Sequence, residues 1–424
     1  MDGSIVVSCP GRADFLNTHQ DYKGLPVVPV AINLRTYLYA KPLKKQVFTI
    51  KSLNLEEYDE PSTDTFEIKE NEMLEGKFFG NYFRGIVNVI AKQGLIRKLR
   101  GMEITVKSEI PIGSGLASSA ALEVAFARLL NHVCKLGYTK RDLAEIAFTA
   151  ETQEVGVPCG RLDQYGVSYG GIIKLECRPP YRVETLPFSD LTFAIIDSGI
   201  RHSTGDIHPK RQAEISMGLK SLMESRTVPE ALKAKLGYRF DQPMWEEISE
   251  EEIEGFLSIL DETTRSRLLF TVKMQRLTEL ALKILRFEKA SKGEIVRNLG
   301  EERWSLIQKS ASDERNHRIL GEVMNEQHSL LRDLYDVSLP EIEEICSAAL
   351  DAGAYGAKIS GAGMGGSIIA LVRDDKIGRD VIDACLSVGA KKGWVSRVGE
   401  GVRIEPSNKY ADGFSTAPSE KNCI

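Results

Sequence analysis

The 424-residue sequence lacks the features that identify membrane, secreted and zinc-binding proteins. It has no run of about 18 uncharged apolar residues and no N-terminal signal-peptide core, so we expect no membrane partner and a cytoplasmic location. The seven cysteines are odd in number and include no Cys-x-x-Cys pair, which indicates reduced thiols rather than a disulfide framework. The six histidines lack zinc-ligand spacing, so we expect no structural metal.

Blocks of like charge are also missing, and the chain carries a formal net charge of -5. This balance offers no electrostatic footprint for nucleic acid, so the expected partner is a small molecule. The length exceeds what one core usually supports. With prolines 179, 180 and 187 marking a crossover, the sequence predicts an N-terminal domain at 1–185, a C-terminal domain at 186–404 and a tail at 405–424.

A glycine- and serine-rich stretch at 111–120 directly precedes an apolar-patterned helix that we expect to run from about 120 to 134. Gly113 and Gly115 allow a ligand to approach the backbone closely. The helix would direct its unpaired N–H groups and positive dipole end at the loop, as in an anion site. The alternative is an ordinary turn with serine as N-cap. A Walker A loop is excluded because no Gly-Lys-Ser/Thr follows.

The sequence predicts a first strand at residues 4–8 and a loop at residues 9–12 that ends it. A dense string of polar residues follows this strand. Extended chain resumes at residue 27. The hydrogen-bonding groups before it need partners, which are either one another, water or a ligand. The alternative is a polar surface loop in which Arg12 pairs with Asp14 or Asp21. The string consists of Arg12, Asp14, Asn17, Thr18, His19, Gln20, Asp21 and Tyr22.

Two further segments carry chemically useful residues. A helix predicted over 140–153, with Thr139 as N-cap, has Glu151 near its end, and a turn containing Asp163 follows. A glycine-rich turn at 360–366 precedes an apolar strand at 368–372. The plain interpretations are a helix-end acid, a turn acid and a tight β-turn.

These segments, in this order, resemble the GHMP kinase superfamily. Residues 11–22, G-R-A-D-F-L-N-T-H-Q-D-Y, are similar in register to the galactokinase signature G-R-V-N-L-I-G-E-H-T-D-Y. Residues 151–164 are similar to the acid-bearing segment of that family, which ends C-G-x-M-D-Q. Arg201-His202-Ser203 and Met324-Asn325-Glu326 with His328 add support, so the resemblance spans roughly residues 4–400.

The resemblance implies a two-lobed α+β fold, with mixed and antiparallel sheets packed with helices and the active site in a cleft between the lobes. It implies an ATP-dependent sugar 1-kinase that phosphorylates the anomeric hydroxyl of galactose or a related monosaccharide. Asp163 would be the catalytic base, with Arg12 beside it stabilising its charge. Mg²⁺ would be held by Ser118 or Ser119 and by Glu151. The phosphates of ATP would contact Pro111, Gly113, Ser114, Gly115, Leu116, Ala117, Ser118, Ser119 and Ala120.

The same resemblance assigns the sugar contacts to Thr18, His19, Asp21, Gly160 and Asp163. Thr18 departs from the pattern, because the family has there a glutamate that binds the 6-hydroxyl. The segment after Arg201-His202-Ser203 departs as well, because the family has a tyrosine near the sugar where this chain has Asp206, Ile207 and His208 and is one residue shorter. Arabinose, galacturonate and N-acetylgalactosamine therefore compete with galactose as acceptors. A non-catalytic sugar and ATP sensor is the rival function. The sequence leaves open monomer or homodimer, the adenine contacts, and the role of a helical region at 286–316.

Overall fold

The computed structural model describes residues 4–76, 78–201 and 207–406. Its strands are β1 (Ile5–Leu16), β2 (Val28–Pro42), β3 (Val47–Ser52), β4 (Thr63–Glu67), β5 (Met102–Ser108), β6 (Ile172–Leu175), β7 (Val183–Leu186), β8 (Thr192–Asp197), β9 (Gly356–Ser360), β10 (Ser367–Val372), β11 (Lys392–Arg397) and β12 (Arg403–Glu405). Its helices are α1 (Leu53–Glu57), α2 (Gly80–Lys92), α3 (Ser118–Cys134), α4 (Lys140–Thr149), α5 (Leu162–Tyr169), α6 (Ile207–Glu224), α7 (Glu230–Lys233), α8 (Glu250–Glu254), α9 (Glu262–Leu285), α10 (Lys292–Lys309), α11 (Arg315–Asp333), α12 (Pro340–Asp351) and α13 (Asp375–Ser387).

The described strands form two sheets. The first has the order β12-β1-β2-β5-β3-β4, with β6 pairing to the start of β2 and to β7. Most of its pairs are antiparallel, whereas β3 and β5 are parallel. The second sheet, β11-β8-β10-β9, is antiparallel throughout. Mixed and antiparallel sheets packed with helices confirm the predicted α+β class.

The chain divides into two compact units that interleave along the sequence. The first unit comprises the described residues up to Arg12, then Val30–Gly171, and the segment that begins at Val398. The second comprises Ala13–Pro29 and Ile172–Arg397. The predicted boundary between 185 and 186 and the predicted cleft stay predictions. Of the predicted tail, Glu405 ends strand β12, whereas residues 407–424 lie outside the described residues.

The expected loop at residues 9–12 is wrong, because β1 runs unbroken to Leu16 and is buried beyond its first residue. Gly11 does not make a turn there. A side chain at Gly11 would lie 2.9 Å from the carbonyl oxygen of Leu116, so the glycine allows the strand to pack against the 111–117 loop. Arg12 therefore lies on a strand.

The helix predictions around the motifs agree with the structure. Thr139 caps α4 in a capping box with Asp142, and α4 continues into a π-helical segment, Ala150–Val155, which carries Glu151. Residues 361–366 connect the antiparallel strands β9 and β10, as the glycine-rich turn predicts. The helical region at 286–316 contains α10, which is kinked at Gly300. No described helix is long and apolar enough to cross a bilayer.

Candidate active site

The loop at 111–117 joins β5 to α3 in the first unit. Gly113 (φ 71°), Gly115 (φ 76°) and also Ala117 (φ 61°) adopt left-handed backbone conformations. An alanine in this region is strained, so the surrounding structure must hold it there. Because α3 begins at Ser118, the unpaired N–H groups of its first turn face the loop. The local backbone has the geometry of an anion site.

The loop itself is built by three of the predicted phosphate-binding residues, Pro111, Ser114 and Leu116. The Ser114 hydroxyl donates to the Pro111 carbonyl over 2.8 Å, and Ser114 is fully buried. The Leu116 carbonyl accepts from the backbone N–H of Arg12 over 3.1 Å. Ala120 is also fully buried. These contacts fix the loop, so backbone N–H groups and the hydroxyls at the start of α3 are what it offers to a phosphate.

Arg12 and Asp163, 151 positions apart, form an ion pair in the first unit. The Arg12 Nε and Nη2 donate to the same Asp163 oxygen, Oδ1, over 3.0 and 2.6 Å. The Arg12 Nη1 donates to the Gly115 carbonyl over 2.5 Å. Among the described residues we find no hydrogen bond to Asp163 Oδ2, and the Asp163 side chain is 29% exposed. A carboxylate held on one oxygen keeps the other for a ligand.

Glu151 is buried on the π-helical segment and lies beside Asp163 in the same unit. Burial raises the pKa of its carboxyl and the charge of Asp163 raises it further, whereas hydrogen bonds with Ser119, Cys159 and Gln164 oppose the shift. The Gln164 amide donates to Glu151 Oε2 over 2.6 Å. The carboxylate is therefore oriented, and a cation beside it would favour its charged form.

Glu123, which no sequence motif indicated, is 1% exposed in the middle of α3. Burial raises the pKa of Glu123 well above its ordinary value, and the neighbouring charge of Glu151 raises it further. The sequence signal was its position four residues after Ser119, which puts both side chains on one helix face. Two adjacent buried carboxyl groups form an environment that attracts a cation.

These oxygen donors fit Mg²⁺. The described residues contain no cluster of three or more His, Cys, Asp or Glu side chains that could hold a metal. Mg²⁺ commonly takes one or two protein oxygens and completes its shell with phosphate and water. The Ser119 hydroxyl and the Glu151 carboxylate, already in contact, match that requirement.

A cavity of about 590 Å³ in the first unit opens beside the start of α3. Its wall includes aromatic and aliphatic side chains, among them Leu55, Phe79 and Tyr82, together with Ser118 and Ser119. An apolar wall with a few polar groups is typical of a pocket for a planar heterocycle. None of the aromatic residues follows a motif, so the sequence could not assign them.

The predicted sugar residues Thr18, His19 and Asp21 lie in the second unit, after the end of β1. Thr18 is 1% exposed, and its Oγ1 accepts from the Lys358 ammonium over 2.8 Å. The His19 Nε2 lies 3.0 Å from the Ala362 carbonyl oxygen, in the glycine-rich turn. Asp21 begins a 3₁₀ turn that ends at Lys23. The string is therefore a buried, framework-held segment, not a solvated loop.

The segment after Arg201, which departs from the family pattern, includes His208, and this residue contacts His19. His202 and Ser203 lie outside the described residues, but the ring of His208 packs edge-on against His19, with centroids 5.2 Å apart. Burial lowers the pKa of His208. Gly160, the remaining predicted sugar residue, is exposed two positions before α5 in the first unit.

Comparison with known families agrees with the motifs. Residues 81–171 match the GHMP kinases N terminal domain, and residues 307–391 match the GHMP kinases C terminal domain. Residues 2–42 match the galactokinase galactose-binding signature. The three matches follow the order that the sequence predicted.

Whole-chain comparisons extend this likeness. A galactokinase from a Roseiflexus species is 29% identical over 88% of this chain and 84% of its own length. A galactokinase from Thermococcus kodakarensis is 28% identical over 94% of this chain and 99% of its own length. The crystal structure of Lactococcus lactis galactokinase complexed with galactose is 25% identical, with a TM-score of 0.71, over 94% of this chain and 95% of that one. The mevalonate kinase of Methanococcus jannaschii (15% identical, TM-score 0.63, 93% and 98% covered) shares the fold.

Proposed function

Because the chain belongs to the GHMP kinase superfamily, we propose that it is an ATP-dependent sugar kinase that phosphorylates the anomeric hydroxyl of galactose or a related monosaccharide. The observation that carries the proposal is the Arg12–Asp163 pair against the 111–117 loop. It brings a carboxylate with an available oxygen, a guanidinium and an anion-binding loop together in one unit. The galactokinase relatives support the choice of a sugar as acceptor.

The proposed chemistry assigns each group one task. Asp163 Oδ2 accepts the proton of the anomeric hydroxyl, whose oxygen forms the new bond to the γ-phosphorus. The bond between that phosphorus and the bridging oxygen breaks, and ADP leaves. Arg12 keeps Asp163 oriented through Oδ1 and adds positive charge near the transferring group. The N–H groups at the start of α3 hold the phosphates.

The cavity beside α3 is the proposed adenine site, with Phe79 and Tyr82 as its aromatic wall. Glu151 with Ser119 or Ser118 would hold Mg²⁺, which neutralises phosphate charge when bound. The acceptor sugar is proposed to bind the segment at 18–21, with His19 and Asp21 accepting its hydroxyl hydrogens.

The decisive experiment measures ADP release by the purified chain with Mg-ATP and a panel of free sugars. The panel contains galactose, arabinose, galacturonate and N-acetylgalactosamine, with mevalonate and homoserine as acceptors of other branches. We expect ADP release with a monosaccharide, and a product phosphorylated at the anomeric oxygen by ³¹P NMR. ATP binding without turnover of any acceptor would contradict the kinase and favour a sensor.

A further inference from the structure

The ammonium of Lys358 on β9 is completely buried and fully hydrogen-bonded. Its Nζ donates to the backbone carbonyls of Asp14 and Ile359 over 2.9 and 2.8 Å, and to Thr18 Oγ1 over 2.8 Å. An ammonium has three hydrogens and no acceptor capacity, so these contacts use all of them. All the residues involved belong to the second unit. Lys358 is therefore a fixed cation in direct contact with the Thr18 hydroxyl.

This contact determines the direction of the Thr18 hydrogen bond. Because Lys358 can only donate, Thr18 Oγ1 must act as the acceptor, and its own hydrogen points elsewhere. Within the part of the chain that the structure describes, the Thr18 hydroxyl donates to no protein acceptor. A buried hydroxyl of this kind offers a donor, polarised by the cation behind it, to a bound ligand.

His19, the residue next to Thr18, presents a hydrogen-bond acceptor instead of a donor. The Ala362 carbonyl can only accept, so the His19 Nε2 carries a hydrogen. Burial, with the charges of His208 and Lys23, lowers the pKa of His19 well below its usual range, so the ring is neutral. Its Nδ1 is then an acceptor, as the Asp21 carboxylate is. The Thr18 hydroxyl is therefore a hydrogen-bond donor to a ligand, whereas His19 Nδ1 and the Asp21 carboxylate are acceptors.

The same framework accounts for two sequence differences together. Where the resembling signature has asparagine and glutamate, this chain has Asp14 and Thr18. Burial lowers the pKa of Lys358 to about 8, and the charge of Asp14 opposes that shift. The negative charge that acts on Lys358 in this chain is therefore that of Asp14. A glutamate at 18 accepts hydrogen bonds only and suits a hydroxyl, whereas the threonine donates.

We propose that the acceptor is a hexuronate, whose carboxylate binds the Thr18 hydroxyl in front of Lys358 while its ring hydroxyls donate to His19 and Asp21. The proposal rests on the sugar-kinase function and specifies its substrate class. A carboxylate is an acceptor-only group, so it matches the donor that the Thr18 hydroxyl presents. Lys358 acts through Thr18 and is a positioning residue.

The first test compares kcat/KM for galacturonate, galactose, arabinose and N-acetylgalactosamine in the unmodified chain. We expect galacturonate to exceed galactose by about tenfold or more, the size that one matched polar contact gives. Turnover of neutral sugars alone would overturn the hexuronate proposal and leave the kinase intact. Turnover of no sugar would remove the kinase function itself, so the two failures are distinguishable.

Variants then test the direction of the hydrogen bond. Thr18→Val removes the donor at nearly constant shape, and we expect it to lower kcat/KM for galacturonate about tenfold or more while changing that for galactose much less. Thr192→Val, another buried threonine of the second unit, is the matched control and should change neither ratio. Equal effects of Thr18→Val on both sugars would contradict the proposal.

A double variant that removes the carboxylate at position 14 and adds one at position 18 tests whether the sugar preference can be reversed. Asp14→Asn with Thr18→Glu restores the pattern of the resembling signature, and we expect the preference to reverse toward galactose. Lys358→Met should raise KM for galacturonate more than it lowers kcat, because Lys358 orients a binding contact. If the double variant does not fold, as judged by circular dichroism, the Thr18→Val comparison decides alone. A folded double variant that keeps its preference for galacturonate would overturn the proposal.

Discussion

The proposed phosphate-binding region of the first unit, here the phosphate half, and the proposed sugar-binding segment of the second unit, here the sugar half, are built by different means. The phosphate half uses backbone: left-handed glycines, the N-terminus of α3 and a loop carbonyl that accepts from Arg12. The sugar half uses buried side chains, in which Lys358 and the Ala362 carbonyl determine what Thr18 and His19 can bind. Backbone groups recognise any phosphate, whereas side chains discriminate between sugars. The first half can stay constant while the second changes.

The largest expected effect concerns the chemistry of the phosphate half. Asp163→Asn removes the proposed base but keeps its shape, so kcat should fall by about 10²–10⁴, with a smaller change in the KM for sugar. The exposed Asp313→Asn is the matched control and should behave as the unmodified chain. Steady-state ADP release measures both. An unimpaired Asp163→Asn variant would mean that another group takes the proton.

A smaller effect tests whether the phosphate half depends on backbone conformation. Gly115→Ala places a side chain at φ 76°, and we expect a stability loss of about 1 kcal/mol together with a severalfold higher KM for ATP. Gly94→Ala is a matched control, because Gly94 has φ 75° and open space around its Cβ position. It should lose similar stability and leave KM for ATP unchanged. Equal KM values in the two variants would show that the loop backbone does not bind the nucleotide.

The smallest expected effect concerns the stability of the elements that support the sugar half. Helix α11 belongs to these elements, because it packs against β9, the strand that carries Lys358. Glu343 is paired with His328 of α11 over 3.0 Å. Burial raises the pKa of Glu343, but its bonds with His328 and Ser338 outweigh this and bring it from 4.5 to about 2. The folded state is thus stabilised above pH 4.5, and this stabilisation disappears as the pH falls toward about 2.

Glu343→Gln should therefore be less stable than the unmodified chain at neutral pH, with the difference shrinking as the pH falls below 4.5. Urea unfolding at a series of pH values measures it. Exposed Glu301→Gln serves as the control, for which no such trend is expected. A difference that stays constant with pH would argue that Glu343 contributes through packing rather than charge.

Local pattern was sufficient for much of the fold. The periodicity of α3, the Thr139 cap and the glycine-rich turn between β9 and β10 are encoded within a few residues, so they could be predicted. The predicted loop at 9–12 was wrong because Gly11 serves a packing contact with a loop a hundred residues away. Local rules for Pro-Gly cannot include that contact.

The sequence by itself determined the family and, through the motifs at 11–22 and 111–120, the class of reaction. It could also identify Arg12, Asp163 and Glu151 as candidates, because the segments that carry them resemble motifs of the family. Only the tertiary structure decided that the Arg12 Nε and Nη2 donate to the same oxygen of Asp163, and that Thr18 Oγ1 accepts from Lys358 and so keeps its own hydrogen for another partner. The physical reason is that hydrogen-bond direction depends on partners which the fold, not the chain order, brings together.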